Sequence, residues 1–507
     1  MSRLTNKEEI FPSIYIEATK DLTERFKPNE AGVICGVGYM NIGNPLHALS
    51  IVGTNERLKS TKTSNGGNPK NETLYHIKDF FNEYNGRVYL SRLLGADSTT
   101  KVLSLAEDTG VYSFDSSVEQ NIFGVSNLDT WEDVTPTNAV EMLIKLCPQS
   151  KITVDLTVKA EKATITFADE FGNKIYKVSG HLDPLHLDDN NESDYIGNIA
   201  DDRIIALKVD TSHVDYAETF SITETFTNGL TTDAGAISVS HSETVLNTVS
   251  RKSDYVVSMG ITDSELLEMM RDIAEEATIG YLVDIVAPSI ALAKSKKTTL
   301  VLDGDLVQCL WNRVQYKYKA GLQNVGISGF VAGRCVARNI HGKQKRAEYR
   351  VSGIAGIRHP LPRVTPTEIT PLTNDEKIEL TEARINTVED FLGKVCISDV
   401  LSALEKETSL MSFPVSDGLG YIKRTLGQYL DSQVFRNIAV AKSFMESQAR
   451  VFFEHCQANA YFDNDVAVPW TFEVYDENGD TVVIDFTYYP EGVMRKGVVR
   501  STVKRKI

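Results

Sequence analysis

Ala31 to Tyr39 reads AGVICGVGY, nine small or apolar residues without a charge. A short run of this kind is the pattern of a strand covered on both faces. Gly36 and Gly38 are spaced as in a dinucleotide fingerprint, but position 41 is Asn and Asn44-Pro45 makes a turn where a helix N-terminus would have to hold a pyrophosphate. The glycines therefore read as close-packing residues. Downstream, Ser60 to Lys70 is a Gly/Asn/Lys-rich loop, and Asn71 is placed to cap a helix. Leu74, Ile77, Phe81 and Tyr84 share one face of that helix, Asn85-Gly86 ends it, and Arg87 to Leu94 (RVYLSRLL) is a strand. Residues 31–95 thus predict strand, loop, helix, strand.

Outward from this unit the composition shifts. Between about 105 and 250 Ser, Thr and Asp rise, and helix signals are scarce apart from Asn138 to Cys147. Lys151 to Phe167 and Ala217 to Phe226 alternate as strands, and Ala163 to Val178 folds back around Asp169 to Asn173. A β-rich domain set into an α/β one is the expectation. After 250 the α/β pattern returns. Asp254 to Met259 is a strand, Thr262 and Glu265 are spaced as a capping box, and Leu266, Met270, Ile273 and Ala277 form the buried stripe behind it. Ile279 to Val286 is a buried strand, Leu306 to Lys317 reads as helical, and Val325 to Val336 is a close-packed small-residue run. Arg338 to Arg350 is basic, and the proline-rich His359 to Pro371 marks a boundary. Beyond it Asn374 opens a helix with Ile378, Ile385, Val388 and Leu392 inward. Two helices follow, Tyr421 to Leu430 and Val434 to Cys456, and then a hairpin, Trp470 to Tyr475 with Thr481 to Tyr488 around Asn478-Gly479.

Each end of the chain carries a strand without an evident partner. Phe11 to Glu17 (FPSIYIE) puts Ile14 and Ile16 on one face and Tyr15 and Glu17 on the other. Val498 to Ile507 (VVRSTVKRKI) puts Val499, Ser501 and Val503 opposite Arg500, Thr502 and Lys504. The second follows a Pro490/Gly492 break and lies in a basic cluster of Arg495, Lys496, Arg500, Lys504, Arg505 and Lys506. A lone strand leaves its backbone groups unpaired, so it frays or pairs with an edge elsewhere.

At 507 residues the chain predicts several domains. A net charge of -16 argues against non-specific nucleic-acid binding by the whole surface. Six scattered cysteines with no CxxC pair are the usage of a reducing compartment. The N-terminus has no apolar signal region, and the longest apolar run, Tyr281 to Ala293, is too short to span a bilayer and contains Asp284 and Pro288. There is no GxxxxGK[ST], GxSxG or HExxH. His181, Asp183, His186, Asp188 and Asp189 form the one metal-like cluster, in a spacing that matches no zinc-hydrolase pattern. An acidic surface loop is the plainer reading; a metal-dependent hydrolase using His181, His186 and Asp188 is the enzyme alternative.

In order, these pieces resemble the sheath proteins of contractile phage tails and related injection systems. The residues that carry the likeness are Pro12 to Glu17 (PSIYIE), the buried strand with Asn44-Pro45, the NGRVYLSR stretch, Ala332 to Ala337 (AGRCVA), Leu372 to Asn386, the two long helices and the closing hairpin with its terminal strand. Ser13 replaces a usual glycine, and Ile327-Ser328-Gly329 stands without the prolines frequent there. The resemblance covers about 1–100 and 250–507 and implies a multi-domain mixed α/β fold: an arm at 1–30, a core at 31–104 and 251–370, an α+β domain at 371–489 and an arm at 490–507; the β-rich insert at 105–250 is outside the resemblance and is expected to face outward. It implies that both arms add as strands to a neighbouring copy, with Phe472, Val474, Val482, Ile484 and Phe486 of the hairpin as acceptor. It further implies hexameric rings around a tail tube, contraction from a metastable state, and baseplate and terminator partners. The protein would sit in the virion tail after assembly in the host cytoplasm, with no cofactor, nucleic acid or membrane involved. On the helix Val434 to Cys456, Arg436 and Lys442 are either set toward the tube or simple solvated helix charges. A non-contractile structural virion protein is the remaining alternative.

Overall fold

The computed structural model describes residues 32–40, 42–52, 72–108, 111–123, 128, 131, 140–149, 151–159, 161–188, 190–209, 219–230, 239–311, 314–318, 321–341, 369–391, 393–458, 461–463, 465–479 and 481–490. Both terminal strands, the Ser60 to Lys70 loop, the basic segment from 342 and the proline-rich segment to 368 lie outside these residues.

The chain begins with β1 (Val33–Gly38), β2 (Leu49–Val52), α1 (Thr73–Glu83) and β3 (Arg87–Arg92). Next come β4 (Thr99–Asp108), β5 (Val111–Asn121), β6 (Val140–Ile144), β7 (Ile152–Lys159), β8 (Lys162–Asp169) and β9 (Lys174–His181). They are followed by α2 (Ile196–Ile199), β10 (Ile205–Val209) and β11 (Phe220–Phe226). The chain then runs through α3 (Val239–Ser250), β12 (Tyr255–Val257), α4 (Ser264–Glu276), β13 (Gly280–Asp284), α5 (Ile290–Thr299) and β14 (Val307–Leu310). A small hairpin, β15 (Val314–Tyr318) and β16 (Gly321–Val325), leads into α6 (Ser328–His341). The last part holds α7 (Asn374–Glu382), β17 (Ile385–Asn386), the pair β18 (Val388–Phe391) and β19 (Lys394–Ile397), α8 (Phe413–Asp431), α9 (Ile438–Ala458), β20 (Trp470–Glu477) and β21 (Thr481–Tyr488).

AGVICGVGY supplies β1, near the middle of a seven-stranded sheet of order β17-β14-β13-β12-β1-β3-β2. Every pairing in it is parallel except β2 with β3. Helices cover both faces, which is why β1 is buried at all six positions rather than alternating. Ile34, Tyr255, Val257 and Leu282 meet Ile77, Phe80, Phe330 and Val331 of α1 and α6. Cys35, Val37, Val256 and Val283 meet Leu246, Leu266, Met270, Ile273 and Ala293 of α3, α4 and α5.

The small-residue run before 336 has a steric cause. A side-chain carbon on Gly329 would sit 2.3 Å from the His76 carbonyl oxygen, and one on Gly333 would sit 2.9 Å from that of Phe80. Two glycines four apart thus let α6 lie directly on the backbone of α1, and Arg334 reaches Glu83 to close the contact at 2.5 Å.

Between Thr99 and Phe226 lie two antiparallel sheets, β10-β6-β4-β5 and β11-β7-β8-β9, whereas α3 packs against the core sheet. They share one core of Leu103, Leu105, Met142 and Ile144 against Val154, Leu156, Ile165 and Phe167, a face-to-face sandwich.

Several local expectations are corrected. Asn138 to Cys147 is not helical: Val140–Ile144 is β6, buried along its length between β4 and β10. Leu306 to Lys317 is likewise β14 and β15, because β13 and β17 offer backbone partners that outweigh helix propensity. The helix from Asn374 stops at Glu382; Ile378 is exposed, Ile385 joins the core sheet through β17, Val388 lies in β18, and Leu392 is outside the described residues. Asp263, not Thr262, caps α4, accepting from Leu266 N at 3.0 Å. A complete capping box occurs instead at Thr373 and Glu376. The cap of α1 is Glu72, with Asn71 outside the described residues. The last long helix begins at Ile438 rather than Val434, and the helix before it spans Phe413–Asp431.

Candidate strand-accepting site

The closing hairpin forms where its turn chemistry demands. Asn478 (φ 66°) and Gly479 (φ 82°) take the left-handed backbone that Asn-Gly supplies, and Asp476 Oδ1 accepts from Gly479 N at 2.9 Å. The register sets Phe472 opposite Phe486, Val474 opposite Ile484, and Asp476 opposite Val482. Four of the five acceptor residues are thus directly facing cross-strand pairs, and Val482 follows on the same side.

That side rests on α9. Phe453, fully buried, has ring centroids 5.3 Å from Trp470, 5.6 Å from Phe472 and 5.5 Å from Phe486. Phe462 packs on Tyr488 at 5.3 Å, and Trp470 Nε1 donates to Gln457 Oε1 at 2.8 Å. Beneath, Ile422 and Leu426 of α8 pack with Ala449, Phe452 and Cys456 of α9. Burial pushes the Cys456 thiol pKa up, so this sulfur is a neutral packing group. Burial also raises Tyr488, whose hydroxyl lies 3.5 Å from the Val415 carbonyl.

Among the described residues neither β20 nor β21 pairs with a third strand. Among the described residues this ribbon of two eight-residue strands keeps both backbone edges unfilled, with an aromatic floor packed on one side. Its strands carry Glu473, Asp476, Glu477 and Asp485 and no Lys or Arg. This acidic character, like the floor residues Phe453, Phe462, Trp470 and Tyr488, was missed by the sequence reading. The alternation of Thr471, Glu473 and Tyr475 against Trp470, Phe472 and Val474 was the signal that could have found it.

The other site residues fall as follows. Ile14, Tyr15, Ile16, Glu17, Val499, Ser501 and Val503 lie outside the described residues. The chain enters β1 at Gly32 and Val33, whose N–H groups donate to Asp254 Oδ2 at 2.9 and 3.0 Å. Past β21 it is fastened by the bridge of Pro490 to Phe462. Arg436 is exposed in the turn between α8 and α9, beside a fully exposed Phe435, and not on the helix itself. Lys442 is on α9, 3.9 Å from Glu446.

The histidine cluster does not converge. The rings of His181 and His186 stack at 3.7 Å, nearly parallel, so their in-plane lone pairs cannot meet on one ion. His181 Nδ1 accepts from Asp183 N, His186 Nδ1 pairs with Asp194 at 2.5 Å, and Asp188 accepts from Asn190 N and Glu192 N to make a turn. Asp189 is outside the described residues, and no group able to hold a metal ion occurs among those that are described.

Solved structures resemble this fold along almost its full length. A sheath tail protein from Listeria innocua matches with a TM-score of 0.55 at 13% identity, covering 93% of this chain and 94% of its own. One from Desulfitobacterium hafniense gives 0.51 at 13%, covering 94% and 97%. The contracted helical sheath of the anti-feeding prophage gives 0.51 at 12%, covering 97% and 99%. No protein-family model and no curated protein sequence matches the chain. The architecture around the hairpin, from the doubly covered sheet to α9, is accordingly the fold of contractile-tail sheath proteins.

Proposed function

We propose that this chain is the subunit of a contractile sheath, lending its terminal strands to adjacent copies and receiving theirs on the β20–β21 hairpin. The observation that carries the reading is the hairpin itself: two edges unfilled among the described residues, on an aromatic base, acidic in its strands. The C-terminal arm has complementary charge, with six basic residues between Arg495 and Lys506. Val499, Ser501 and Val503 would lie along one edge, and Ile14, Tyr15, Ile16 and Glu17 along the other, by β-augmentation. Phe472, Val474, Val482, Ile484 and Phe486 are then the structural base of the acceptor.

On this reading copies stack as hexameric rings around a tail tube protein, between a baseplate and a terminator, as part of a virion tail put together in the host cytoplasm. A metastable long lattice shortens and drives the tube through the host envelope. The sandwich at 105–250 faces outward, where sequence change is tolerated. The C-terminal unit faces the tube, with Arg436 at the exposed α8–α9 turn and Lys442 on α9. Residues 1–30 and 490–507 are the arms.

A chain ending at Gly497 tests this. It is expected to fold, with the wild-type circular dichroism spectrum and melting profile, and to form no tubes by negative-stain microscopy. Tubes of normal length from that truncation sink the proposal.

A further inference from the structure

We propose that Arg92 is the pin that fixes the inserted sandwich rigidly on the core sheet. Arg92 ends β3, two residues before the chain crosses toward β4, and it is 1% exposed. Its guanidinium grips both sides of that crossing. On the core side Nε donates to the Met40 carbonyl at 2.8 Å and Nη1 to that of Gly43 at 2.7 Å. On the sandwich side Nη1 donates to Leu146 O at 3.2 Å and Cys147 O at 2.7 Å, in the turn after β6.

No carboxylate among the described residues lies within ion-pair reach of this cation, and Nη2 has no partner there. Burial pulls its pKa down to about 10, so it remains charged at neutral pH. A buried charge persists only where dipoles replace water, and here the replacement is a set of carbonyls drawn from two separate units. The planar fork addresses several carbonyls at once in fixed directions, which a lysine ammonium cannot do.

The rest of the joint is mainly non-directional. Leu46 and Leu94 of the core side pack with Val102, Trp131, Leu143 and Ala206 of the sandwich side. Such contacts favour proximity without setting an angle. The directional bonds beside Arg92 belong to the loop it holds: Gly43 N to Leu146 O at 2.8 Å, and Asn44 Nδ2 to Arg203 O at 3.4 Å. Removing the guanidinium takes the donor from the Met40, Gly43 and Cys147 carbonyls, leaves Leu146 O only Gly43 N, and frees this loop, while the cores of both units stay intact. Arg92 is the last residue of the VYLSR stretch, so the inference assigns a role to a motif residue that strand pairing leaves unexplained.

Amide hydrogen exchange on the full-length chain tests it. In Arg92→Met, segments 40–46 and 144–149 are expected to exchange roughly tenfold faster or more, with β7–β8 and β12–β13 keeping wild-type protection. Arg92→Lys should fall between the two and decides by the same measurement if Arg92→Met does not fold. Unchanged protection at the joint overturns the proposal, and so does an equal loss throughout sandwich and sheet, which would make Arg92 a general stability residue.

Discussion

Asp254 is half-buried and accepts two backbone N–H groups where the chain enters the central sheet. Burial raises its pKa above the ordinary carboxylate value, against the N–H groups of Val33 and Gly32 and the Arg424 charge, which lower it, while Asp417 adds to the rise. An acid whose folded pKa is raised binds more protons folded than unfolded. Stability therefore falls as pH climbs from about 4 through the folded pKa, then levels. Asp254→Asn keeps an oxygen for both N–H groups and removes the charge. Urea unfolding between pH 4 and 7 should show a shallower fall for the variant; identical slopes would refute this account. The sequence showed Asp254 only as the first residue of a strand. Its electrostatic surroundings include Arg424 and Asp417 of α8, which no local pattern reports.

Among the elements, the hairpin was legible almost to the residue, because its signals are local: an Asn-Gly turn and alternating apolar positions. The helix ending at Cys456 was legible in the sequence, and in α9 Ala441, Met445, Ala449, Phe452 and Cys456 form a buried stripe, with Ile438 only partly covered. The relation of α9 to the hairpin was not legible, since Phe453 lies one position off the stripe and meets three aromatic rings of β20 and β21. A hairpin of two strands is marginal in water, so its order should depend on this side chain. Phe453→Ala is expected to cost about 3–5 kcal/mol, the usual range for removing a buried aromatic ring. Exchange protection of β20 and β21 should drop while that of β12 and β13 holds; a uniform drop would count against the local anchoring. The elements misread as helices, Val140–Ile144 and Val307–Leu310, are short interior strands with side chains buried on both faces. Such segments carry no alternation, and only their neighbours distinguish them from buried helix.

For the whole molecule, the proposed arm exchange is closely balanced. A five-residue strand adds ~4–5 backbone hydrogen bonds at about 1 kcal/mol net each. Covering Val499 and Val503 contributes about 1.5–3 kcal/mol apiece. Ordering roughly ten residues costs about 10 kcal/mol. One arm on one neighbour is near zero, and stability comes from closing many such contacts in one lattice, where each raises the effective concentration of the next. Polymerisation should then show a lag by light scattering that preformed fragments abolish. A linear, seed-independent rise with concentration would contradict the balance.

The sequence by itself determined the doubly covered central strand, the β-rich insert and the closing hairpin. These follow from periods of two or 3.6, from turn residues and from capping, all of which act within a few positions. Only the tertiary structure decided that β17 completes the core sheet from beyond the proline-rich segment, and that α6 lies on α1 through Gly329 and Gly333. It also decided that His181 and His186 stack instead of converging, and that a buried arginine fastens insert to core. Apart from the histidine pair, each of these joins residues far apart in the chain, through surfaces and carbonyl groups that are brought together only once the elements have formed.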